Sequence, residues 1–357
     1  MLFRSLHQFS RINHRMHNKL FIADGSFAVT GGRNIADEYF DRSGDANFID
    51  MDLLSTGPVV QQLAVVFDRF WNSEIAYPVG SLVAGEPSRQ AFERLLGDAP
   101  VAARPACNPD PATVQGQLAS GRIEFERAEA EVFADAPQKA NGDAGPATVA
   151  QAHLELLRSA QSTVLLASPY FIPGVPERAA LSALRAHEVE ISVLTNSLAT
   201  TDEPLVHFGY ARHRTALLNA GVDLHELMPS AETGAETRSS FGSSGRGGSM
   251  GRLHTKLAVI DDERTFVGSM NMDGRSARLN TEAGIVIHSA LVAKLVAKFL
   301  RGHQHEGSYQ VQLQGRHLSW LSGEGTARRA LTTEPAPAAQ PALPVRLLAQ
   351  LLGDGML

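Results

Sequence analysis

The 357-residue sequence contains a single cysteine, Cys107. One thiol closes no internal disulfide, and no Cys/His neighbours stand at metal-ligand spacing. Neither an oxidised scaffold nor a zinc site is expected, and a reducing cytoplasm fits best. No apolar run approaches the roughly 20 residues that span a bilayer, and the start lacks the apolar stretch of a signal peptide, so any membrane contact should be peripheral. Residues 1–23 hold no Asp or Glu but carry Arg4, Arg11, Arg15 and Lys19. This bias superficially resembles a transit peptide, but the segment runs without a linker into chemistry-bearing residues. Lysine is scarce, with five among the 32 basic residues. The net charge of −6 argues against nucleic acid held on a broad basic surface, although a local basic cleft survives such an average. With 43% hydrophobic and 20% charged residues, the chain reads as soluble and globular, with one large core or two ordinary ones.

What is present is an internal repeat. His17-Asn18-Lys19-Leu20-Phe21-Ile22-Ala23-Asp24 matches His254-Thr255-Lys256-Leu257-Ala258-Val259-Ile260-Asp261 at every His-x-Lys-x4-Asp position. The register continues: Gly31 and Gly268 lie 14 residues after their histidines, and Asn34 and Asn271 lie 17 after. Each copy reads as two short strands around a turn, followed by a helix. The first helix carries Val59, Val60, Leu63, Phe67, Phe70 and Trp71 behind Pro58. The second carries Leu291, Val292, Leu295, Val296, Phe299 and Leu300 behind Ser289. These stripes read as core faces.

Ahead of the second motif, strands at 163–167, 190–194 and 223–227 alternate with helices near 176–187 and 206–220, which is α/β patterning. Only 16 residues precede the first motif. If the halves are duplicates, the first is expected to be incomplete at its N-terminal side. It should then expose edge backbone and a core face, and be poorly stable unless another chain covers it. The expected organisation is a first half over 1–76 (motif 12–39), a connector over 77–149, a second half over 150–313 (motif 249–276) and an extension over 314–357. The connector is rich in Pro, Gly and Ala, with a polar helical candidate near 122–131. A Gly/Ser-dense loop over 232–251 should lie close to the site. The tail over 323–344 should be extended, and it leads to a short apolar segment at 343–352.

Positions two apart on a strand share a face, so His17 and Lys19 should enter one cavity, as should His254 and Lys256. Attack on a phosphodiester needs a nucleophile, an acid for the leaving alkoxide, and fixed positive charge on the equatorial oxygens. Two imidazoles and two ammonium groups supply all of these without a metal or cofactor. One chance match to the triple is expected at about 0.01 per sequence of this composition, and two in register are far rarer. Retaining lysine in a chain that otherwise uses arginine suits a compact charge with three donors.

The doubled His-x-Lys-x4-Asp followed by Gly-x-x-Asn resembles the phospholipase D superfamily. The resemblance implies two pseudo-symmetric α/β halves with mixed, helix-flanked sheets, meeting at one active site. It implies His17 as nucleophile forming a phosphohistidine, with His254 as general acid and then base, although spacing alone does not order the two. Lys19, Asn34, Lys256 and Asn271 match the phosphate-binding positions, and Asp24 and Asp261 should hold the motif turns. A neutral histidine needs a partner on its other nitrogen to set its tautomer. Glu282, 28 residues after His254, matches the family's orienting acid. Asp50 and Asp52 share a strand face in the first half, and Asp52 resembles the corresponding acid.

The segments 15–19, 31–40, 168–174, 195–199 and 206–210 are similar to the cardiolipin synthase branch, specifically its type C members, with similarity running from about 11 to 313. The activity so implied is phosphatidyl transfer between phospholipids, with either phosphatidylglycerol or phosphatidylethanolamine beside phosphatidylglycerol as substrate, at the cytoplasmic face of a bacterial inner membrane. The alternatives are a phospholipase or nuclease, or an impaired remnant that binds a protein partner. His207 is a candidate cleft residue or a packing one, Tyr170 and Phe171 read as core or wall residues, and His7, His14, His153 and His187 as surface or structural.

Overall fold

The computed structural model describes residues 14–82, 88–98, 113–229, 250–323, 328–335 and 354. His7, Cys107, most of the loop over 232–251 and the apolar segment over 343–352 lie outside the described residues. The chain divides into two compact units, Met1–Arg69 with Ala128–Leu357, and Phe70–Arg127.

In the larger unit, β1 (Leu20–Ala23) and β2 (Phe27–Gly31) form the hairpin expected after the first motif, with Leu20 opposite Thr30 and Ala23 opposite Phe27. Asp24 (φ 50°) and Gly25 (φ 63°) make its turn, and these residue types tolerate the left-handed region best. β3 (Ala46–Ile49) follows, and β4 (Asp52–Thr56) completes an antiparallel sheet in the order β1-β2-β4. α1 (Pro58–Trp71) starts on its proline and buries Val60, Leu63 and Val66 along one stripe. Val60 and Leu63 share a core with Ala28 of β2 and with Leu257, Val259 and Val267 of the second half, so the two halves are welded through apolar packing.

Among the described residues, the smaller unit holds three short helices, α2 (Val79–Leu82), α3 (Arg89–Asp98) and α4 (Val114–Ala119), the last capped by the Thr113 hydroxyl accepting from Gly116 N. The connector therefore ends earlier than expected. Its C-terminal part, 128–149, belongs to the larger unit, where β5 (Glu129–Ala134) pairs with a later strand in place of the expected helix. The sequence Glu-Ala-Glu-Val-Phe-Ala alternates, and that period-two pattern lets one face pack while the other meets water.

The second half is built on a ten-stranded sheet, β15-β14-β13-β8-β7-β6-β10-β11-β12-β5. After α5 (Val149–Arg158), β6 (Thr163–Ala167), α6 (Val175–Ala186), β7 (Glu190–Asn196) and β8 (Asp223–Leu227) form its parallel part. The single helix expected over 206–220 is two, α7 (Pro204–Ala211) and α8 (Arg214–Asn219). The break lets the buried Arg214 pair with Glu226 on β8 and with Glu334. β9 (Met250–Leu253) pairs in parallel with β3, and β10 (Leu257–Ile260) and β11 (Arg264–Gly268) repeat the β1–β2 hairpin. After α9 (Gly274–Arg278), β12 (Ala283–His288) leads into α10 (Ala290–Glu306), capped by Ser289 as expected. β13 (Ser308–Gln314), β14 (His317–Ser322) and β15 (Arg329–Leu331) close the order, so part of the tail expected to be extended is a strand.

The glycines matched across the repeat meet a steric need. A Cβ at Gly268 would lie 2.6 Å from Ala283 O, and one at Gly31 would lie 2.8 Å from Met51 O.

Candidate active site

The two halves meet through matched backbone contacts. Residues 49 and 253, at the ends of β3 and β9, are parallel partners, and His254 N donates to Ile49 O at 2.9 Å. On the other side Met16 and Thr281 form a parallel bridge, and His17 N donates to Thr281 O at 3.0 Å. In each case the residue before a histidine pairs with the residue before a carboxylate from the opposite half. The next pair of side chains must then meet.

They do so crosswise. Glu282 of the second half accepts from His17 Nδ1 of the first at 2.8 Å, and Asp50 of the first half accepts from His254 Nδ1 of the second at 2.7 Å. Both carboxylate side chains are fully buried. Each contact occupies Nδ1 and leaves Nε2 as the nitrogen turned away from the carboxylate. Asp50 fills the position expected of Asp52. Asp52 instead pairs with Arg33, which also donates to Tyr39 O and Asp50 O. Asp50 directly follows β3 beside the incoming β9, while Asp52 begins β4, and this explains the exchange.

The electrostatics keep both histidines neutral. Burial lowers the His17 pKa against the pull of Glu282. Burial, helped by the Lys256 charge, takes His254 to about 4. Burial pushes the Asp50 carboxyl up, but the bond from His254 and the charge of Lys256 outweigh it and bring it below its usual value. Burial thus favours the neutral imidazole in both pairs.

Lys19 Nζ donates to His17 O at 2.8 Å and Lys256 Nζ to His254 O at 2.5 Å, the same two-residue reach in both copies. Burial and the neighbouring Lys256 bring Lys19 down to about 7, and burial brings Lys256 to about 8. The Lys256 charge also acts on His17, and that of Lys19 on His254, so the four groups lie within electrostatic reach of one another. Two crowded ammonium groups of lowered pKa favour an anion between them.

Asn271 is buried, and its Oδ1 has no hydrogen-bond partner among the described residues. Asn34 is exposed and donates to Tyr39 Oη at 2.7 Å. Asp24 and Asp261 lie at the hairpin turns, away from the cavity. Asp261 accepts from the backbone N–H groups of Gln161, Ser162 and Thr163, whereas the Asp24 carboxylate makes no hydrogen bond among the described residues. His207 is buried in the Arg214–Glu334 cluster, a packing role, and His153 packs edge-on against Phe266.

Three contributors escaped the residue reading. Tyr39 Oη lies 3.4 Å from His254 Nε2, with its pKa raised by burial to about 12, so it remains a donor. Ser269 donates to Glu282 Oε2 at 2.5 Å. Asp135, paired with the buried Lys139 at 2.7 Å, accepts from Glu282 N and fixes the carboxylate from behind. Ser269 adjoins the motif Gly268 and was within reach of the repeat. Tyr39 and Asp135 carry no spacing signal.

A family model described as "Cardiolipin synthase, PLD-like domain" matches residues 153–303. Cardiolipin synthase C of Escherichia coli (strain K12) is 34% identical over 348 residues, covering 95% of this chain and 72% of that protein. The chain belongs to the cardiolipin synthase branch of the phospholipase D superfamily. An uncharacterised protein of Helicobacter pylori (strain ATCC 700392 / 26695) is 30% identical over 90% of this chain, which spans 63% of that relative's length. Among solved structures, phosphatidylserine synthase from Haemophilus influenzae Rd KW20 superposes with a TM-score of 0.56 at 14% identity, covering 96% of this chain and 71% of that one. That likeness supports the α/β fold and nothing finer.

Proposed function

We propose that this chain is a phosphatidyltransferase of the cardiolipin synthase type, acting on phospholipid phosphodiesters through a phosphohistidine. The observation that carries the reading is the crossed pair of histidine–carboxylate contacts, His17 on Glu282 and His254 on Asp50, beside two lysines of lowered pKa. His17 Nε2 attacks phosphorus, the bond from phosphorus to the head-group alcohol breaks, and His254 protonates the departing oxygen. Burial and, after it, the Lys256 charge hold the His254 pKa down; the entering phosphate adds negative charge that opposes both, so His254 takes up the proton it must deliver. An acceptor lipid's hydroxyl then gives its proton to His254 as its oxygen attacks, and the phosphorus–nitrogen bond breaks. Tyr39 beside His254 Nε2 supports the acid/base role for that histidine and the nucleophilic role for His17. Lys19, Lys256, Asn34 and Asn271 hold the phosphate, and Asp24 and Asp261 hold the turns.

With phosphatidylglycerol as donor and acceptor, the product is cardiolipin. Phosphatidylethanolamine as acceptor follows the same chemistry, and water as acceptor gives phosphatidic acid. No described helix is long and apolar enough to cross a membrane, and the proposed site of action is the cytoplasmic membrane face, approached peripherally.

Vesicles carrying labelled phosphatidylglycerol should yield labelled cardiolipin with the wild-type chain and none with His17→Ala or His254→Ala. Rapid denaturing quench of the wild-type chain at alkaline pH, where a phosphorus–nitrogen bond to histidine survives, should find label on His17 and on no other residue. EDTA should leave the rate unchanged. Label on His254, or a chelator-sensitive rate, would overturn the mechanism. Absence of wild-type activity would favour the remnant.

A further inference from the structure

Ahead of α7, the segment after β7 is tied to the catalytic strands at both ends. The Asn196 side chain donates to Leu253 O and accepts from Leu253 N, both at 2.9 Å, immediately before His254. Six residues later, Asp202 Oδ2 accepts from Tyr170 Oη at 2.9 Å. Tyr170 is itself fixed beside Asn271: Met272 N donates to Ser168 Oγ at 3.0 Å, and Ile172 N donates to Met272 O at 2.7 Å. Asp202 thus lies on a segment anchored beside His254 through Asn196 and, at Asp202 itself, to Tyr170.

The other oxygen, Oδ1, is buried and has no hydrogen-bond partner among the described residues. A buried carboxylate oxygen without a donor is costly, and few native positions tolerate one without a use for it. The negative charge of Asp202 reaches Lys256, Tyr39 and Tyr170. A carboxylate whose charge reaches Lys256 repels a phosphate held by that lysine. It suits a hydroxyl or ammonium carried by the alcohol beside that phosphate.

We propose that Asp202, positioned by Tyr170, is a specificity-determining residue that accepts a hydrogen bond from the polar head group of the acceptor lipid and thereby favours lipid over water in the second step. This rests on the phosphatidyl-transfer reading above. In that step the acceptor's hydroxyl oxygen bonds to phosphorus, the phosphorus–nitrogen bond to His17 breaks, and the hydroxyl proton passes to His254. Asp202 takes no proton. It holds a second donor of the same head group so that the attacking hydroxyl faces phosphorus.

The test is the partition of labelled phosphatidylglycerol between cardiolipin and phosphatidic acid, measured with the full chain on vesicles of phosphatidylglycerol alone and mixed with phosphatidylethanolamine. Asp202→Ala should raise the ratio of hydrolysis to transfer about tenfold or more, the size expected for losing a hydrogen bond to a charged group. Asp202→Asn, which keeps one acceptor oxygen, should fall between the wild type and Asp202→Ala. Tyr170→Phe should move the ratio in the same direction by less, and it carries the test should Asp202→Ala fail to melt cooperatively. Wild-type transfer with an unchanged ratio in Asp202→Asn and Tyr170→Phe overturns the proposal alone. A wild type that makes phosphatidic acid and no transfer product overturns the transfer reading and the proposal with it.

Discussion

His254 is 6% exposed and His17 22%, although each rests on a fully buried carboxylate from the opposite half. Around them the two copies diverge. β10 is buried at all four positions and lies mid-sheet between β6 and β11. β1, its counterpart, lies at the edge of a three-stranded sheet among the described residues, with Phe21 66% exposed. Asp261 gathers three backbone N–H groups from the turn leading into β6, while Asp24 gathers none among the described residues. The contacts that set the chemistry are thus duplicated more faithfully than the scaffold beneath them. A symmetric site needs only two strand pairings and four side chains in register, and these are supplied at the seam between the halves.

The sharpest way to break that comparison is to remove one orienting carboxylate at a time. Glu282→Gln and Asp50→Asn should each lower kcat by roughly 100-fold or more, because the histidine loses both its tautomer and its anchor. Asp52→Asn, acting through Arg33, should cost clearly less. Equal losses for Asp50→Asn and Asp52→Asn would break the crossed assignment.

The lysines come next. An ammonium group serves only while protonated, so its contribution is present below its pKa and lost as pH rises through it. With Lys19 at about 7 and Lys256 at about 8, kcat/KM in wild type should fall roughly 10- to 20-fold between pH 6 and pH 8. Lys19→Arg keeps its charge throughout and should retain only the limb near 8, so its pH 6 to pH 8 ratio should be smaller whatever its absolute rate. A pH profile identical to wild type would show that Lys19 does not titrate in this range.

The smallest effect separates the scaffolds. Asp261→Asn removes the charge that three backbone donors solvate and should cost about 1–3 kcal/mol in chemical denaturation. Asp24→Asn should stay within about 0.5 kcal/mol, as an exposed substitution without partners does. Similar costs at the two positions would mean that the first turn is as firmly held as the second.

Much of this was legible because the repeat is written in side chains the chemistry cannot exchange. The strands at 163–167 and 223–227, the hairpin after each motif and the Pro58 and Ser289 helix starts follow from local pattern and caps. Asp50 was not legible as the acid. Glu282 follows its own motif histidine by 28 residues and Asp50 follows His17 by 33, so five extra residues break the register beyond Asn34. The start of β5 falls within the polar stretch near 122–131 that reads as a helical candidate, and its place as a strand depends on the open edge of β12, a long-range partner. The split of the helix over 206–220 depends likewise on Glu226 and Glu334, far away in the chain.

Taken alone, the sequence determined the paired His-Lys-Asp motifs, their common register and the reaction class they suit, since these depend on residue type and short spacing. Tertiary structure decided which carboxylate serves which histidine, how far burial moves the lysines, and how unequal the supports of the two motifs are. Those outcomes depend on parallel pairing between β3 and β9 and between Met16 and Thr281, contacts that no local pattern encodes.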